Sequence, residues 1–150
     1  MIRPHDSLLV RVITRYLTPF VQVFGLYVLF HGHSSPGGAF QGGVLLGASL
    51  VLKELVGKTG DHPRYRVGLE FLLASAGVLV YTGTGAACML SGFNFLDYSA
   101  LSILGSELPT RRYYGILTVE IGVAAAIAMT IVIIFRALAH AELAGRGSDS

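Results

Sequence analysis

The sequence predicts an all-α integral membrane protein with four transmembrane helices, and its composition carries much of that prediction. Of its 150 residues, 53% are hydrophobic and 13% are charged, and the mean hydropathy is +0.63. A soluble domain carries about 25% charged residues. The apolar residues also form continuous runs, whereas the strands of a membrane β-barrel alternate apolar and polar positions. The length fits a single membrane domain.

Four apolar stretches approach or reach the length of about 20 residues that a membrane helix requires. The predicted spans are residues 8–30, 39–56, 67–90 and 115–138. The first span is expected to be retained rather than cleaved as a signal peptide, because Arg11 and Arg15 lie within it. Short joints rich in glycine, proline and polar residues separate the spans, which predicts one compact four-helix membrane domain.

The distribution of basic residues predicts the topology. Of the 11 Lys and Arg residues, all but Arg111 and Arg112 lie before the second span, around the joint near residue 60, or toward the C-terminal end. The positive-inside rule then places both termini in the cytoplasm. The outer joint between the third and fourth spans is rich in aromatic residues, which favours a short interfacial helix that Pro109 ends.

Several function classes find no support in the sequence. The net charge of +2 is too small to suggest a nucleic-acid partner, and the single cysteine, Cys88, excludes a disulfide framework or a multi-cysteine metal site. There is no nucleophile paired with a base and no phosphate-binding loop. We therefore predict no catalytic site, no cofactor and no metal.

The most distinctive motif lies at residues 31–43, HGHSSPGGAFQGG. Its glycines leave one side of the new helix nearly bare, and Gly43 with Gly47 forms a small-xxx-small pair. They either allow close helix packing and a sharp turn, or expose amide groups that help bind an ion or line a water path. His31 and His33 either fix the turn or take part in a proton relay. The motif positions that we assign to this turn are Gly32, His33, Pro36, Gly37, Gly38, Phe40, Gly42, Gly43 and Gly47.

The stretch from Gly32 to Gly43 resembles the signature turn of the MnhB/MrpB family, the B subunits of multisubunit monovalent cation/proton antiporters. Ala39 stands where a third glycine is usual in that family. The segment Ile103–Thr110 resembles the family's outer loop, and Glu120–Val123 resembles the start of its last span. The resemblance therefore covers most of the chain.

This resemblance implies an accessory membrane subunit of a Na+/H+ antiporter complex in a prokaryotic plasma or inner membrane. Its implied partners are the other membrane subunits and the lipid bilayer, with Na+ and H+ as the transported ions. Two alternatives stay open. One is a subunit in the membrane arm of a related hydrogenase-like redox complex, and the other is a small independent proton-coupled transporter.

Two carboxylates, Glu70 and Glu120, lie within the apolar spans, where an ionisable residue is a functional candidate because it is costly there. Their positions place them near opposite membrane faces, so they are candidate stations on an ion or proton path and cannot share one proton. Structural alternatives exist. Glu70 can pair with Arg66 one turn earlier on the same helix, and both carboxylates lie on small-residue faces that suit helix contacts.

The charged residues that remain are predicted to act as anchors or charge partners. Glu54 falls on the same helical face as Gly43 and Gly47, while Lys53 points about 100° away and is expected to reach the interface. The first span carries a polar stripe that should be covered by protein rather than by lipid. Its members are Arg11, Arg15, Thr18 and Gln22.

Overall fold

The computed structural model describes the backbone of residues 8–32, 37–56, 64–105 and 107–148. Side chains are described for residues 9–32, 37–56, 68–105 and 107–141. Within these ranges the chain is helical and contains no β-strand, which confirms the all-α prediction. Each of the four long helices contains a segment that is long and apolar enough to cross a membrane. They are α1 (Leu8–Phe30), α2 (Gly38–Val56), α3 (Arg64–Leu90) and α4 (Leu108–Ser148).

The helices pack in an order that differs from their order in the chain. Helix α1 packs on α2, α2 packs on α4, and α4 packs on α3. Helices α1 and α3 therefore lie at the two edges, and α2 and α4 form the centre. The edge helices expose many large apolar side chains, including Phe20 at 75% and Leu79 at 68%. Such surfaces are stable against lipid or against neighbouring membrane helices, and not against water.

Small residues set the contact between α2 and α4. A Cβ atom added at Gly43 would lie 2.9 Å from both the Cα and the carbonyl oxygen of Ala124, and one at Gly47 would lie 3.0 Å from the carbonyl oxygen of Ala128. Both pairs advance by one turn in the same direction, so α2 and α4 run parallel. The backbones approach this closely because these positions carry little or no side chain.

A second small-residue contact joins α3 to α4. Gly77 of α3 faces the backbone of Gly122, and a Cβ added at Gly122 would lie 2.9 Å from the carbonyl oxygen of Gly77. Along the face of α3 that includes Gly77, Glu70 and Cys88 are also buried. The small-residue faces that the sequence predicts on the third and fourth spans therefore face one another.

The outer joint folds back on the ends of α3 and α4. Two short 3-10 helices, Tyr98–Ala100 and Ser102–Leu104, replace the single interfacial helix that the sequence predicts. Asp97 caps the first of them by accepting a hydrogen bond from the Ser99 amide at 3.1 Å. Its carboxylate also accepts one from the Ser99 hydroxyl, and together these bonds lower the pKa of Asp97.

The predicted role of Pro109 is wrong, because this residue lies in the first turn of α4. Proline suits that turn because its missing N–H would have no helical acceptor there. Helix α4 consequently begins at Leu108 rather than near Gly115. Arg111 secures this junction by donating from Nε to the Gly105 carbonyl at 2.6 Å and from Nη1 to the Ser99 carbonyl at 3.3 Å.

Candidate functional site

The strongest candidate site is a buried charge cluster in which Arg136 of α4 joins two carboxylates from different helices. Its Nε donates to both carboxylate oxygens of Glu54 on α2, each at 3.0 Å. Its Nη2 donates to Oε1 of Glu54, and its Nη1 donates to Oε1 of Glu70 on α3. The three side chains are only 11–13% exposed. One guanidinium thus ties together the three helices α2, α4 and α3.

The small-residue contacts explain why these side chains meet. Glu54 follows Gly47 by about two helical turns, and Glu70 precedes Gly77 by the same spacing. Arg136 follows Ala128 by slightly more than two turns. Each charged residue therefore lies on the extension of a face that already holds two helices close together. The charges meet at the same end of the bundle because α2 and α4 run parallel and α3 runs against them.

The two carboxylates of this charge cluster are not equivalent. Glu54 receives the paired, fork-like contact that guanidinium and carboxylate groups favour, so both of its oxygens accept a hydrogen bond. Glu70 accepts through Oε1, while its buried Oε2 accepts no hydrogen bond from the described part of the chain. With both carboxylates ionised, two negative charges face one positive charge. Glu70 is therefore the member with an open position for a proton or a cation.

The second intramembrane carboxylate, Glu120, lies at the other end of the bundle beside the glycine-rich turn. A Cβ added at Gly32 would lie 2.8 Å from Oε1 of Glu120. Tyr98 of the outer joint is also near, since burial raises the pKa of its phenol and the Cys88 thiol, Tyr81 and the Glu120 carboxyl add to the rise. Two features that the sequence presents separately, the turn and Glu120, therefore meet in space.

Two glycines of the turn have different structural reasons. Gly37 has a φ of 89°, a conformation that glycine adopts without strain. Gly38 touches the backbone of Gly32, so a side chain there would collide with main-chain atoms. Ala39, where the family usually has a third glycine, lies half-buried in the first turn of α2 and needs neither property. The methyl group at this position is compatible with the turn.

The remaining motif residues divide between contact and exposure. A Cβ added at Gly42 would lie 3.0 Å from the carbonyl oxygen of Gly25, so this glycine brings α2 close to α1. Phe40 is 60% exposed and points away from the bundle. His31 lies with Nδ1 3.0 Å from the Tyr27 carbonyl oxygen, beside the Tyr27 ring. His33 and Pro36 lie outside the described residues, so their predicted roles stay predictions.

The predicted pair between Glu70 and Arg66 is replaced by a longer-range contact. Glu70 binds Arg136, 66 positions away, and the side chain of Arg66 lies outside the described residues. Sequence reasoning counted Arg136 only as a marker of the cytoplasmic tail. The available signal was its position inside the predicted fourth span, where the rule that singled out the two glutamates applies equally to an arginine.

Lys53 and the polar stripe of α1 form a separate feature at the same end of the bundle as the charge cluster. They line an open cleft of about 590 Å3 between α1 and α2. Lys53 and Arg15 are exposed, whereas Thr14 and Thr18 are buried. The stripe is therefore only partly covered by this chain. The residues that line the basic cleft are Arg11, Thr14, Arg15, Thr18, Pro19, Gln22, Lys53 and Val56.

No group of three or more metal-ligating side chains occurs among the residues that the structure describes. The clustered chemistry of this part of the chain is thus that of carboxylates, guanidinium groups and hydroxyls. Such groups exchange protons and bind hard cations or anions, and they do so without forming covalent intermediates. This chemistry is compatible with ion handling.

Comparison with known proteins gives consistent matches. Residues 9–133 match the family described as a domain related to the MnhB subunit of Na+/H+ antiporter. The chain is 32% identical over 134 residues to the Na+/H+ antiporter B subunit of Alkalihalophilus pseudofirmus, covering 84% of this chain and 92% of that protein. The corresponding protein of Bacillus subtilis is 31% identical over 134 residues, covering 84% and 93%. No solved structure matches the chain.

A third relative has a different length. It is a protein of Rhizobium meliloti whose name describes a probable K+/H+ antiporter component that combines the A and B subunits, and it is 29% identical over 135 residues. The match covers 86% of this chain but only 13% of that protein. In that organism the matching region is thus a small part of a much longer polypeptide.

Proposed function

Because the chain belongs to the MnhB family of Na+/H+ antiporter subunits, we propose that it is an accessory membrane subunit of a multisubunit cation/proton antiporter. Its four apolar helices carry it in the membrane, and the exposed edges at α1 and α3 offer surfaces for other subunits. The names of these relatives describe antiporter subunits, which favours this setting over a redox complex. The small-residue contacts hold a rigid unit that neighbouring subunits can pack against.

The proposed setting is the cytoplasmic membrane of a prokaryote, with both termini on the cytoplasmic side. The distribution of Lys and Arg residues supports this orientation. It places the charge cluster toward the cytoplasmic end and Glu120 toward the outer end. Between positions 120 and 136, α4 advances about 24 Å, which is most of the thickness of a bilayer core.

The observation that carries the ion-handling part of the proposal is the open oxygen of Glu70. Oε2 is buried and accepts no hydrogen bond from the described residues, while Arg136 holds the other oxygen. A proton or a monovalent cation at Oε2 brings the net charge of the cluster from −1 to zero. Because an unbalanced charge is costly away from water, the cluster favours occupation by one or the other. Competition between the two at one carboxylate is a simple basis for exchange.

Arg136 and Glu54 have a supporting role in this proposal. Their paired contact fixes the guanidinium, so Glu70 can gain and lose its proton while the helices stay in place. Glu120 is the proposed second station, with the backbone of Gly32 limiting where its carboxylate can lie. Transfer between the two glutamates requires intermediate groups or water, because about 24 Å is too far for one hydrogen-bonded step.

The Rhizobium meliloti protein supports a particular neighbour for this chain. Its name assigns it to the A and B subunits together, and the region that matches this chain is part of it. We therefore place this chain beside the A subunit in the antiporter complex. A cysteine at Phe20 on one exposed edge and one at Leu79 on the other would identify the edge that cross-links to that neighbour. Cross-linking from neither edge contradicts the placement.

The function is tested with Glu70→Gln in the complete complex, with Glu107→Gln as the matched control. Glu107 is an exposed carboxylate in the outer joint. The measurement is Na+-dependent dissipation of a pH gradient in inverted membrane vesicles, alongside recovery of the other subunits by co-purification. We expect Glu70→Gln to abolish exchange while the subunits still co-purify, since glutamine keeps the shape but cannot ionise.

Glu54→Gln separates a proton-handling cluster from a purely structural one. Glutamine at this position still accepts a hydrogen bond from Arg136, but it removes one negative charge next to Glu70. Protonation of a carboxylate is harder when a neighbouring negative charge is lost. The pH profile of exchange should therefore move to lower pH. Normal exchange with an unmoved profile in both glutamine variants would eliminate the charge cluster as an ion-handling site.

A further inference from the structure

The basic cleft between α1 and α2 has no role in the proposed exchange, yet its lining is unusual for a membrane protein. Three cationic side chains, Arg11, Arg15 and Lys53, line it together with Thr14, Thr18 and Gln22. The lining contains no carboxylate. Glu54 is adjacent to Lys53 in sequence, but it lies on the α4 side and binds Arg136. The cleft therefore gathers positive charge on the side of α2 away from the charge cluster.

The position of the basic cleft argues for an amphipathic occupant. Arg11 and Arg15 lie in the first two turns of α1, whereas Pro19 and Gln22 lie deeper along the same helix. Large apolar side chains next to the cleft face outward, with Ile13 at 52% and Tyr16 at 67% exposure. The surface thus combines a cationic mouth near the membrane boundary with an apolar flank that continues toward the bilayer centre.

We propose that this basic cleft binds the phosphate headgroup of an anionic phospholipid, whose acyl chains lie along the exposed face of α1. Charge complementarity selects an anion, because gathered cations repel one another unless an opposite charge lies between them. The apolar flank selects a lipid over a free anion. Basic pockets between transmembrane helices at the cytoplasmic side are suited to such headgroups.

The chemistry of the side chains supports a phosphodiester as the group recognised. A guanidinium such as that of Arg15 presents a fork of N–H donors that matches phosphate oxygens, and Lys53 adds a mobile point charge. Thr18 donates its hydroxyl to the Thr14 carbonyl at 2.7 Å, which leaves its oxygen lone pairs on the cleft wall. The headgroup is therefore expected to lie between Arg15 and Lys53 rather than beside the threonines.

The test is native mass spectrometry of the complete complex, after reconstitution in nanodiscs of phosphatidylcholine with or without phosphatidylglycerol. We expect one retained phosphatidylglycerol that depends on the basic cleft. Each single variant, Arg15→Gln or Lys53→Gln, should lower its retention roughly fivefold, and Lys53→Arg should preserve it because the charge stays. Arg112→Gln is the matched control, since Arg112 is exposed at the opposite end of the bundle.

Retention of phosphatidylglycerol that is equal in the wild type, both glutamine variants and the control would overturn the proposal. So would loss of a neighbouring subunit from the Arg15→Gln and Lys53→Gln complexes with unchanged lipid, because an acidic protein partner would then occupy the cleft. The readout is bound lipid rather than exchange. A negative result therefore leaves the antiport proposal standing, and a positive one does not depend on it.

Discussion

The two ends of α4 hold a carboxylate in the membrane by different means. At one end, Glu70 is held by a charged partner, Arg136, which a second carboxylate fixes from the opposite side. At the other end, Glu120 lies against the backbone of Gly32 and near the phenol of Tyr98. The first arrangement depends on charge balance, and the second depends on shape and closely packed main chain.

This difference teaches which substitutions each end tolerates. An ion-pair cluster is sensitive to the loss of one charge, since the remaining charges are left buried. A backbone cradle is insensitive to charge changes at a distance but sensitive to a single added methyl group. Substitutions at each end therefore separate the two cases, beginning with the change of largest expected effect.

Arg136→Leu should be the most damaging single change. It leaves Glu54 and Glu70 buried without their cation, and breaking a buried pair in this way costs about 3–5 kcal/mol. We expect a lower midpoint for thermal disassembly of the complex and poor recovery of this chain. In the triple variant Arg136→Leu, Glu54→Gln and Glu70→Gln, stability should largely return because no buried charge remains. If the triple variant is as unstable as Arg136→Leu, the guanidinium acts through packing and not through charge balance.

Gly43→Ala should be the next most damaging, since its new Cβ would lie 2.9 Å from Ala124 backbone atoms. Overpacking of this kind costs about 1–3 kcal/mol. Gly83→Ala is the matched control, because a Cβ there meets nothing within 4 Å. Alanine at that position should be neutral or stabilising, since alanine favours helix. Equal stability of the two variants in thermal disassembly would contradict the close contact of α2 with α4.

Gly32→Ala tests the shape-dependent end directly. The added methyl group would press on Oε1 of Glu120 and displace its carboxylate. If Glu120 is a station, we expect exchange to fall roughly tenfold with assembly intact, as for other displaced functional groups. Glu120→Gln should lower exchange at least as far. Full exchange in both variants, with normal subunit recovery, would remove Glu120 from the path.

Asp97 should show the smallest effect, and it is confined to acid pH. Its pKa is lowered by the hydrogen bonds from Ser99, so its contribution to stability is present above the ordinary value of 3.8 and is lost as the pH falls through the lower native value. Hydrogen exchange at the Ser99 amide can follow this cap. The difference in protection between wild type and Asp97→Ala should shrink with acidification. The Asp97→Asn variant, which cannot titrate, should show no such trend once the intrinsic exchange rate is subtracted.

Much of the fold could be predicted because the lipid bilayer leaves few alternatives. Four long apolar runs require four helices, since their backbone groups have no other partners in hydrocarbon. The start of α4 was harder, because Pro109 is equally typical of a helix end and of a first turn. The packing order could not be read from the chain, since continuous apolar runs show little preference for one helical face.

The candidate site was only half visible in the sequence for a related reason. Glu70 and Glu120 are conspicuous as carboxylates in apolar runs, whereas Arg136 resembles any basic residue near the end of a span. Local spacing suggested Arg66 as the partner of Glu70, because a residue one turn away is the only neighbour that periodicity can name. The observed partner lies 66 positions away, and Glu54 lies 82 positions from the same arginine. Such pairs depend on the order in which helices pack.

The central claim is that Glu70 exchanges a proton for a cation, and infrared difference spectroscopy of the whole complex tests it most directly. Addition of Na+ to the proton-loaded complex should remove a carboxylic acid C=O band as the group ionises. We predict that this band is present in wild type and in Glu107→Gln and is missing from Glu70→Gln. The same Na+-sensitive band in Glu70→Gln, at full amplitude, would contradict the claim and assign the exchanging carboxyl to another residue.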